Sequence, residues 1–156
     1  MYQSTTTIRV RYAETDQMGV VYYGNYAQYF EVGRVEAIRQ LGYSYKQMEE
    51  EGVAMPVVSM ETRFLRSALY DEELTIVTTI RQLPIAHEII FDCEIFNDRK
   101  KLLTTGKIKL YFLDKASWKK ITIPKTLRSK LAPFYDQADK AESKMKPVES
   151  KSKHKA

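Results

Sequence analysis

Ile8-Arg9-Val10-Arg11-Tyr12 alternates apolar and basic side chains, the two-residue period of a half-buried strand, and stops at the polar run Glu14-Thr15-Asp16-Gln17. The spacing predicts a first strand over 8–12, then a loop. From Tyr26 the period lengthens. Tyr26, Tyr29, Phe30, Gly33, Ala37 and Leu41 recur three or four residues apart, one stripe of an amphipathic helix of about four turns. Asn25 is placed to accept from a free N–H of the first turn, Gln28 to reach back in a variant capping box, and Gly42 to take the left-handed position past the end. Gly33 interrupts the stripe at a cost of about 1 kcal/mol relative to alanine, which a close-lying sheet backbone would explain. Residues 44–51 read as a short polar helix stopped by Gly52.

From Val57 the two-residue period takes over. Val58, Met60, Thr62 and Phe64 form one alternating set, Leu74, Ile76, Thr78 and Ile80 a second, Ile89, Phe91, Cys93 and Ile95 a third, and Ile108, Leu110 and Phe112 a fourth. The joining segments are short, so the pattern predicts a four-strand antiparallel meander. A two-residue turn at Asp98-Arg99 would set Glu88 opposite Lys109, with Asp92 and Glu94 on the same face as Lys107. Residues 124–135 close the fold as a short helix with Pro124 in its first turn. Strand, long helix, then four strands is an α+β order in which one helix has a curved sheet to pack against. Exposed sheet edges make pairing with a second copy a physical expectation.

Length and composition sharpen this picture without changing it. The 156 residues suit one domain, here 1–136, and 44% hydrophobic against 29% charged residues is a globular balance. No apolar run reaches membrane-spanning length, and the start carries no export signal, so a cytoplasmic protein with no membrane span is expected. The single Cys93 forbids an internal disulfide, and with only His87 and His154 beside it there is no Cys/His zinc set. Charge is uneven: residues 1–98 hold 8 basic and 15 acidic side chains, whereas residues 99–130 hold 11 basic ones and Asp114 as the one acid. Residues 137–156, with six lysines and three acids, have the composition of a solvated tail.

The missing motifs exclude several chemistries. There is no G-x-S-x-G elbow, the six glycines never space as a P-loop or dinucleotide fingerprint, and a histidine-based triad would rest on His87 alone. Tyr26, Tyr29 and Phe30 fall at helical spacing and read as core, not as a base-stacking platform, so no nucleic-acid partner is expected. The stretch RVRYAETDQMGVVYYGNY at 9–26 stands out, because Asp16 precedes an apolar passage that runs into a helix start. Unpaired N–H groups at such a start can hold an oxyanion, and a nearby carboxylate can attack a carbonyl or activate water; an aspartate in a loop also commonly caps a turn.

Arg9-Val10, Thr15-Asp16, Gly19-Val20-Val21-Tyr22 and Asn25-Tyr26, with Phe30-Glu31, Pro56-Val57-Val58-Ser59, Tyr70-Asp71 and Ile123-Pro124, resemble the 4-hydroxybenzoyl-CoA thioesterase family of hotdog-fold proteins, in its short-chain acyl-CoA thioesterase branch. The resemblance covers about residues 5–130, an ordinary domain size. It implies a hotdog fold, a curved antiparallel five-stranded sheet wrapped around one long helix, with subunits joined sheet edge to edge as a homodimer or homotetramer. It implies hydrolysis of an acyl-CoA to a carboxylic acid and free CoA, without metal or other cofactor. Asp16 matches the catalytic aspartate, nucleophile or general base, and the backbone N–H of Tyr23 matches the donor to the thioester carbonyl. Many members carry histidine where this chain has Tyr23, so a backbone role transfers and a side-chain role does not. Gly24, Asn25 and Glu31 match substrate-binding positions, and Lys119 and Lys120 match a basic pair near the nucleotide. Residues 83–86, Leu-Pro-Ile-Ala, lack the basic side chains that the hydroxybenzoyl enzyme has there. Two further readings use the same scaffold: a non-catalytic acyl-CoA or acyl-carrier binding module, and a dehydratase, which usually needs a histidine beside its carboxylate.

Overall fold

The structure, a computed structural model, describes residues 1–135. The tail expected over 137–156 lies outside them. Strand β1 (Tyr2–Arg9) leads through a 3-10 turn at Tyr12–Glu14 and another at Tyr23–Asn25 into the long helix α1 (Tyr26–Gln40). A short helix α2 (Tyr45–Glu50), capped by the Ser44 side chain, precedes β2 (Val53–Ala54) and β3 (Val57–Phe64). Strands β4 (Glu73–Ile80), β5 (Glu88–Phe96), β6 (Leu102–Tyr111) and β7 (Leu113–Asp114) follow, then α3 (Lys125–Leu131). The main sheet has the order β1-β4-β5-β6-β3, antiparallel throughout, and β2 pairs with β7 beside it. This is the expected α+β arrangement of five strands curved about one helix.

Four local expectations need correction. The meander has three strands, β4, β5 and β6; β3 pairs with β6 instead of β4, so the chain crosses the sheet end between Phe64 and Glu73. The β5–β6 register is two residues from the expected one, with Asp92 opposite Lys107 and Glu88 opposite Tyr111. Asn97 causes this, because its side chain accepts from Arg99 N–H and Lys101 N–H and widens the turn, with Lys100 at φ 60°. A shift of two keeps every side chain on its face, and Lys109 still reaches Glu88 at 3.7 Å. Strand β1 runs over 2–9, not 8–12, and Pro124 is the residue before α3, not its first turn.

α1 lies against β1, β4 and β5, burying Tyr29, Phe30, Ala37 and Ile38 against Ile76, Phe91 and Ile95. Gly33 does lie close to the sheet, but against the side chains of β4 and not against the expected backbone. A Cβ there would stand 2.7 Å from both Ile76 Cγ2 and Thr78 Oγ1. Gly33→Ala is therefore expected to lower stability by about 1–3 kcal/mol despite better helix propensity, read as a lower denaturant midpoint at unchanged m. Gly42 takes the left-handed conformation at φ +82°, as expected past a helix end.

Cys93 is buried beneath the helix, 3.8 Å from Thr78 Oγ1, and burial pushes its thiol up to about 11 from 9.0. The folded chain then holds the proton that the unfolded chain releases. This contribution to stability is complete below pH about 9 and disappears as the pH climbs through about 11. Ellman's reagent at pH 8 should leave Cys93 unlabelled until the protein is unfolded, and the native protein contributes no background to a thiol-release assay.

Candidate active site

Residues 14–22 fold back as a small hairpin ahead of α1. Thr15 bridges Val21, Asp16 N–H donates to Val20 O at 2.8 Å, and Tyr22 N–H donates to Glu14 O at 3.0 Å. Gly19, at φ +77°, makes the reversal that an L side chain would resist. Leu69 bridges Val20, and Ala68 O accepts from Val21 N–H, so the segment after β3 ties the hairpin down.

Glu14 organises the base of the hairpin and is a residue that sequence reading missed. Its carboxylate is buried, and Oε1 accepts from Arg11 N–H at 2.8 Å and from the Tyr29 hydroxyl at 3.1 Å. Burial first, and then the Glu14 charge, hold the Tyr29 hydroxyl above the usual tyrosine range, so it stays a proton donor. The Glu14 carbonyl also accepts from Asn25 Nδ2 at 2.8 Å. This corrects the expected cap: the Asn25 side chain donates to the hairpin and makes no bond to the helix start, which the 3-10 turn opens instead. Glu14→Ala should cost about 1–3 kcal/mol and reduce turnover together with thermal stability, because it leaves the Tyr29 hydroxyl buried and unpaired. Thermal melts beside kinetics check this.

The Asp16 side chain is half-buried and does cap its own turn. Its Oδ1 accepts from Met18 N–H at 2.8 Å and Val20 N–H at 3.4 Å. Neither bond uses Oδ2. Asp16 stands level with Val20, three residues before Tyr23, which opens the 3-10 turn ahead of α1. At that point no group of the described residues accepts from Tyr23 N–H or Gly24 N–H. Both amides are orphans of a helix start, with the partial positive charge such a start carries. Tyr23 lines a cavity of about 200 Å³ with Val21, Tyr26, Phe64, Leu65, Arg66 and Ser67, and Gly24 is next to it in the chain. Asp16 is outside that lining. A Cβ on Gly24 would meet the exposed Tyr22 ring at 2.8 Å.

The remaining expected residues are spread more widely. Glu31 is exposed on α1, two turns beyond Tyr23, with no ion pair among the described residues. Next on that side Arg34 is buried with its Nε unpartnered, beside the Tyr45 hydroxyl, which burial pushes up to about 12 against the pull of Arg34. Lys120 sits over the Tyr111 ring with Nζ 5.1 Å from the centroid, and Lys119 is its neighbour. Tyr111 ends β6, whereas Phe64, which lines the Tyr23 cavity, pairs with Thr104 near the strand's start. Seven residues of strand, about 23 Å, separate Tyr111 from Thr104 within one protomer. Among the described residues no three His, Cys, Asp or Glu side chains converge as a metal site.

Residues 10–131 match the model of the thioesterase-like superfamily. The chain belongs to that superfamily. Among its thioesterase relatives is the provisionally named acyl-CoA thioesterase YneP of Bacillus subtilis, 36% identical over 125 residues, 80% of this chain and 90% of that one. The acyl-CoA thioester hydrolase YbgC of Escherichia coli O6:H1 is 29% identical over 120 residues, 77% of this chain and 89% of its own. A solved thioesterase, the DHNA-CoA enzyme of Staphylococcus aureus, superposes at a TM-score of 0.80 with 34% identity over 95% of this chain and 98% of that one. The superposition over 95% of this chain shows the hotdog fold, and the family model covers the chain from the end of β1 through α3.

Proposed function

We propose that the protein hydrolyses acyl-CoA thioesters to a carboxylic acid and free CoA, using the Asp16 carboxylate and the backbone N–H groups of Tyr23 and Gly24. The observation that supports this reading is the pair of partnerless amides just ahead of α1, of which Tyr23 lines a cavity beside the hairpin that holds Asp16. The carbonyl oxygen gains negative charge as the carbon becomes tetrahedral, and two fixed N–H dipoles stabilise it most at that moment. Asp16 supplies the attack, directly or by taking a proton from water. The bond to sulfur breaks, and the thiol, with a pKa of roughly 8–9, leaves as thiolate without a strong general acid. Water supplies the oxygen of the acid and the proton of the thiol. No histidine is needed, and the Tyr23 side chain, 66% exposed, is not required for proton transfer.

The working unit in this reading is a homodimer or homotetramer. Strand β3 is an edge of the sheet, with its outer backbone groups unpaired and Val58, Met60 and Phe64 exposed along it. A second β3 laid edge to edge would pair those groups and cover the apolar row. It would also close the open side of the Tyr23 cavity and offer a route by which the lysines at 119 and 120 of another copy approach the nucleotide. Light scattering should give a mass of two or four chains, and Met60→Lys should reduce it. The cytoplasm is the proposed compartment, in keeping with the lone buried thiol of Cys93.

A non-catalytic acyl-CoA binding module draws on one observation, the engagement of Asp16 Oδ1 within its own turn. That reading predicts saturable CoA binding with no thiol release. A thiol-release assay over aliphatic and aromatic acyl-CoAs separates the two: turnover of at least one acyl-CoA supports hydrolysis, and binding without release overturns it.

A further inference from the structure

Arg34 is a buried cation that the hydrolysis above does not use. Among the described residues it makes no ion pair, and neither its Nε nor the neighbouring Tyr45 hydroxyl has a hydrogen-bond partner. A guanidinium withdrawn from water without a counter-charge is costly, so the position calls for an anion. The contacts of α1 place it along the sheet. Tyr26 meets Phe64 of β3 with ring centroids 5.4 Å apart, and one turn later Phe30 rests on Gly106, which pairs with Thr62 of β3. Arg34, a further turn on, comes level with Met60, because eight residues of helix and four of strand both advance about 12–13 Å. Met60, Thr62 and Phe64 share the helix-side face of the sheet with Gly106. Because α1 lies against β1, β4 and β5, this edge stays open, with Met60 47% and Phe64 52% exposed. Ala27, Glu31 and Arg34, at helical spacing, form the facing side. A largely apolar trough thus leads from the Tyr23 cavity between α1 and β3 and ends at Arg34 and Tyr45.

We propose that Arg34, together with the Tyr45 hydroxyl, selects acyl groups that end in a carboxylate, so that the preferred substrate is the CoA monothioester of a dicarboxylic acid. The inference rests on the acyl-CoA reading above and adds the class of acyl group; the hydrolytic step is unchanged. With the thioester carbonyl at the Tyr23 and Gly24 amides, the chain lies along the trough and brings its second carboxylate to the guanidinium, whose planar fork matches it. Burial keeps the Tyr45 hydroxyl protonated, pushed up to about 12, so it donates to the same group. A methyl end would leave both donors buried and unpaired, and a site built around such donors rejects an analogue that cannot accept from them. The trough supplies no counter-charge of its own. Glu31 is exposed, so water screens it, and it makes no pair with Arg34. The acid of β3, Glu61, alternates to the opposite face from Met60 and Thr62, so a second copy paired through the same strand brings no carboxylate to Arg34 from it.

The test compares two series of CoA thioesters matched in chain length, one ending in a carboxylate and the other in a methyl group. At the best length, kcat/KM of the parent should favour the carboxylate end by about tenfold or more, and Arg34→Gln should lower that ratio by about tenfold. A parent with no preference, or with one for the methyl end, overturns the proposal without any variant. So does an Arg34→Gln protein that loses activity on both series alike, the mark of a purely structural arginine. Should Arg34→Gln fail to fold, Tyr45→Phe reads the same ratio: a fall of about threefold supports the proposal, and an unchanged ratio refutes it. If neither series is hydrolysed, the hydrolytic reading fails by itself, and calorimetry with the matching S-carboxyalkyl-CoA and S-alkyl-CoA thioethers then decides the trough. Tighter binding of the carboxylate-ended thioether supports it, and equal binding refutes it.

Discussion

Asp16→Asn should lower kcat by about 10²–10⁴-fold while leaving the fold, the oligomer and KM close to those of the parent. Asparagine keeps an Oδ1 that can accept from Met18 N–H and Val20 N–H, so the turn of the hairpin survives the exchange. What it removes is the negative charge and the basicity of the second oxygen. A variant that melts like the parent yet fails to release thiol therefore isolates chemistry from structure. Asp16→Ala is the useful contrast. It deletes the acceptor as well, and should lose about 1–2 kcal/mol of stability in addition to activity. Retention of a tenth or more of parental kcat in Asp16→Asn would place the attack elsewhere.

Gly106→Ala should be among the most destabilising single-methyl changes in the chain, at about 1–3 kcal/mol or several degrees in Tm. Gly106 lies in β6 between Cys93 and Thr62 of the flanking strands, and the Phe30 ring of α1 rests on it. A Cβ would stand 2.6 Å from Phe30 Cζ, and the ring cannot move aside because Phe30 is fully buried. The damage comes from lifting α1 from the sheet. Shortening the opposing side chain tests this cause: Phe30→Leu alone costs stability by leaving a gap, but in the double variant the two losses should partly cancel. Strict additivity in urea denaturation would show that the contact is not the reason.

Much of the fold was legible where one face of a strand is uniformly apolar. Leu74, Ile76 and Ile80 on β4 and Ile89, Phe91 and Ile95 on β5 are buried as their alternation requires. β1 escaped because its inward positions are Tyr2, Ser4 and Thr6: Tyr2 donates to Ala37 O and Ser4 to Gln40, so polar groups satisfied by α1 take the place of a hydrophobic signal. The partner of β3 was misread because a short connection suggests a hairpin. The segment after Phe64 is instead held by the Asp16 hairpin, through Ala68 and Leu69, which carries the chain past the sheet end. The slip of two residues at Asn97 is invisible to a pattern whose own period is two.

The candidate site divides in the same way. Asp16 could be picked out in the sequence as a carboxylate ahead of a helix start, Tyr23 and Gly24 came from the family resemblance, and in the structure Asp16 is on the hairpin that leads into the turn of Tyr23 and Gly24. Asn25 looked like a cap, yet what satisfies its side chain is the carbonyl of Glu14, eleven residues earlier. Glu14 itself reads as an ordinary surface acid, and only the approach of Tyr29 explains its burial. For Lys119 and Lys120, charge was visible but position was not, since neither composition nor spacing tells which end of β6 a basic pair will occupy.

The most direct measurement is a crystal structure with an acyl-CoA analogue whose thioester sulfur is replaced by methylene, so that the carbonyl persists without hydrolysis. The account predicts that carbonyl oxygen within about 3 Å of the Tyr23 or Gly24 N–H and an Asp16 carboxylate oxygen facing its carbon. A carbonyl bound away from the head of α1, or one with no Asp16 carboxylate from either copy within reach, would contradict it.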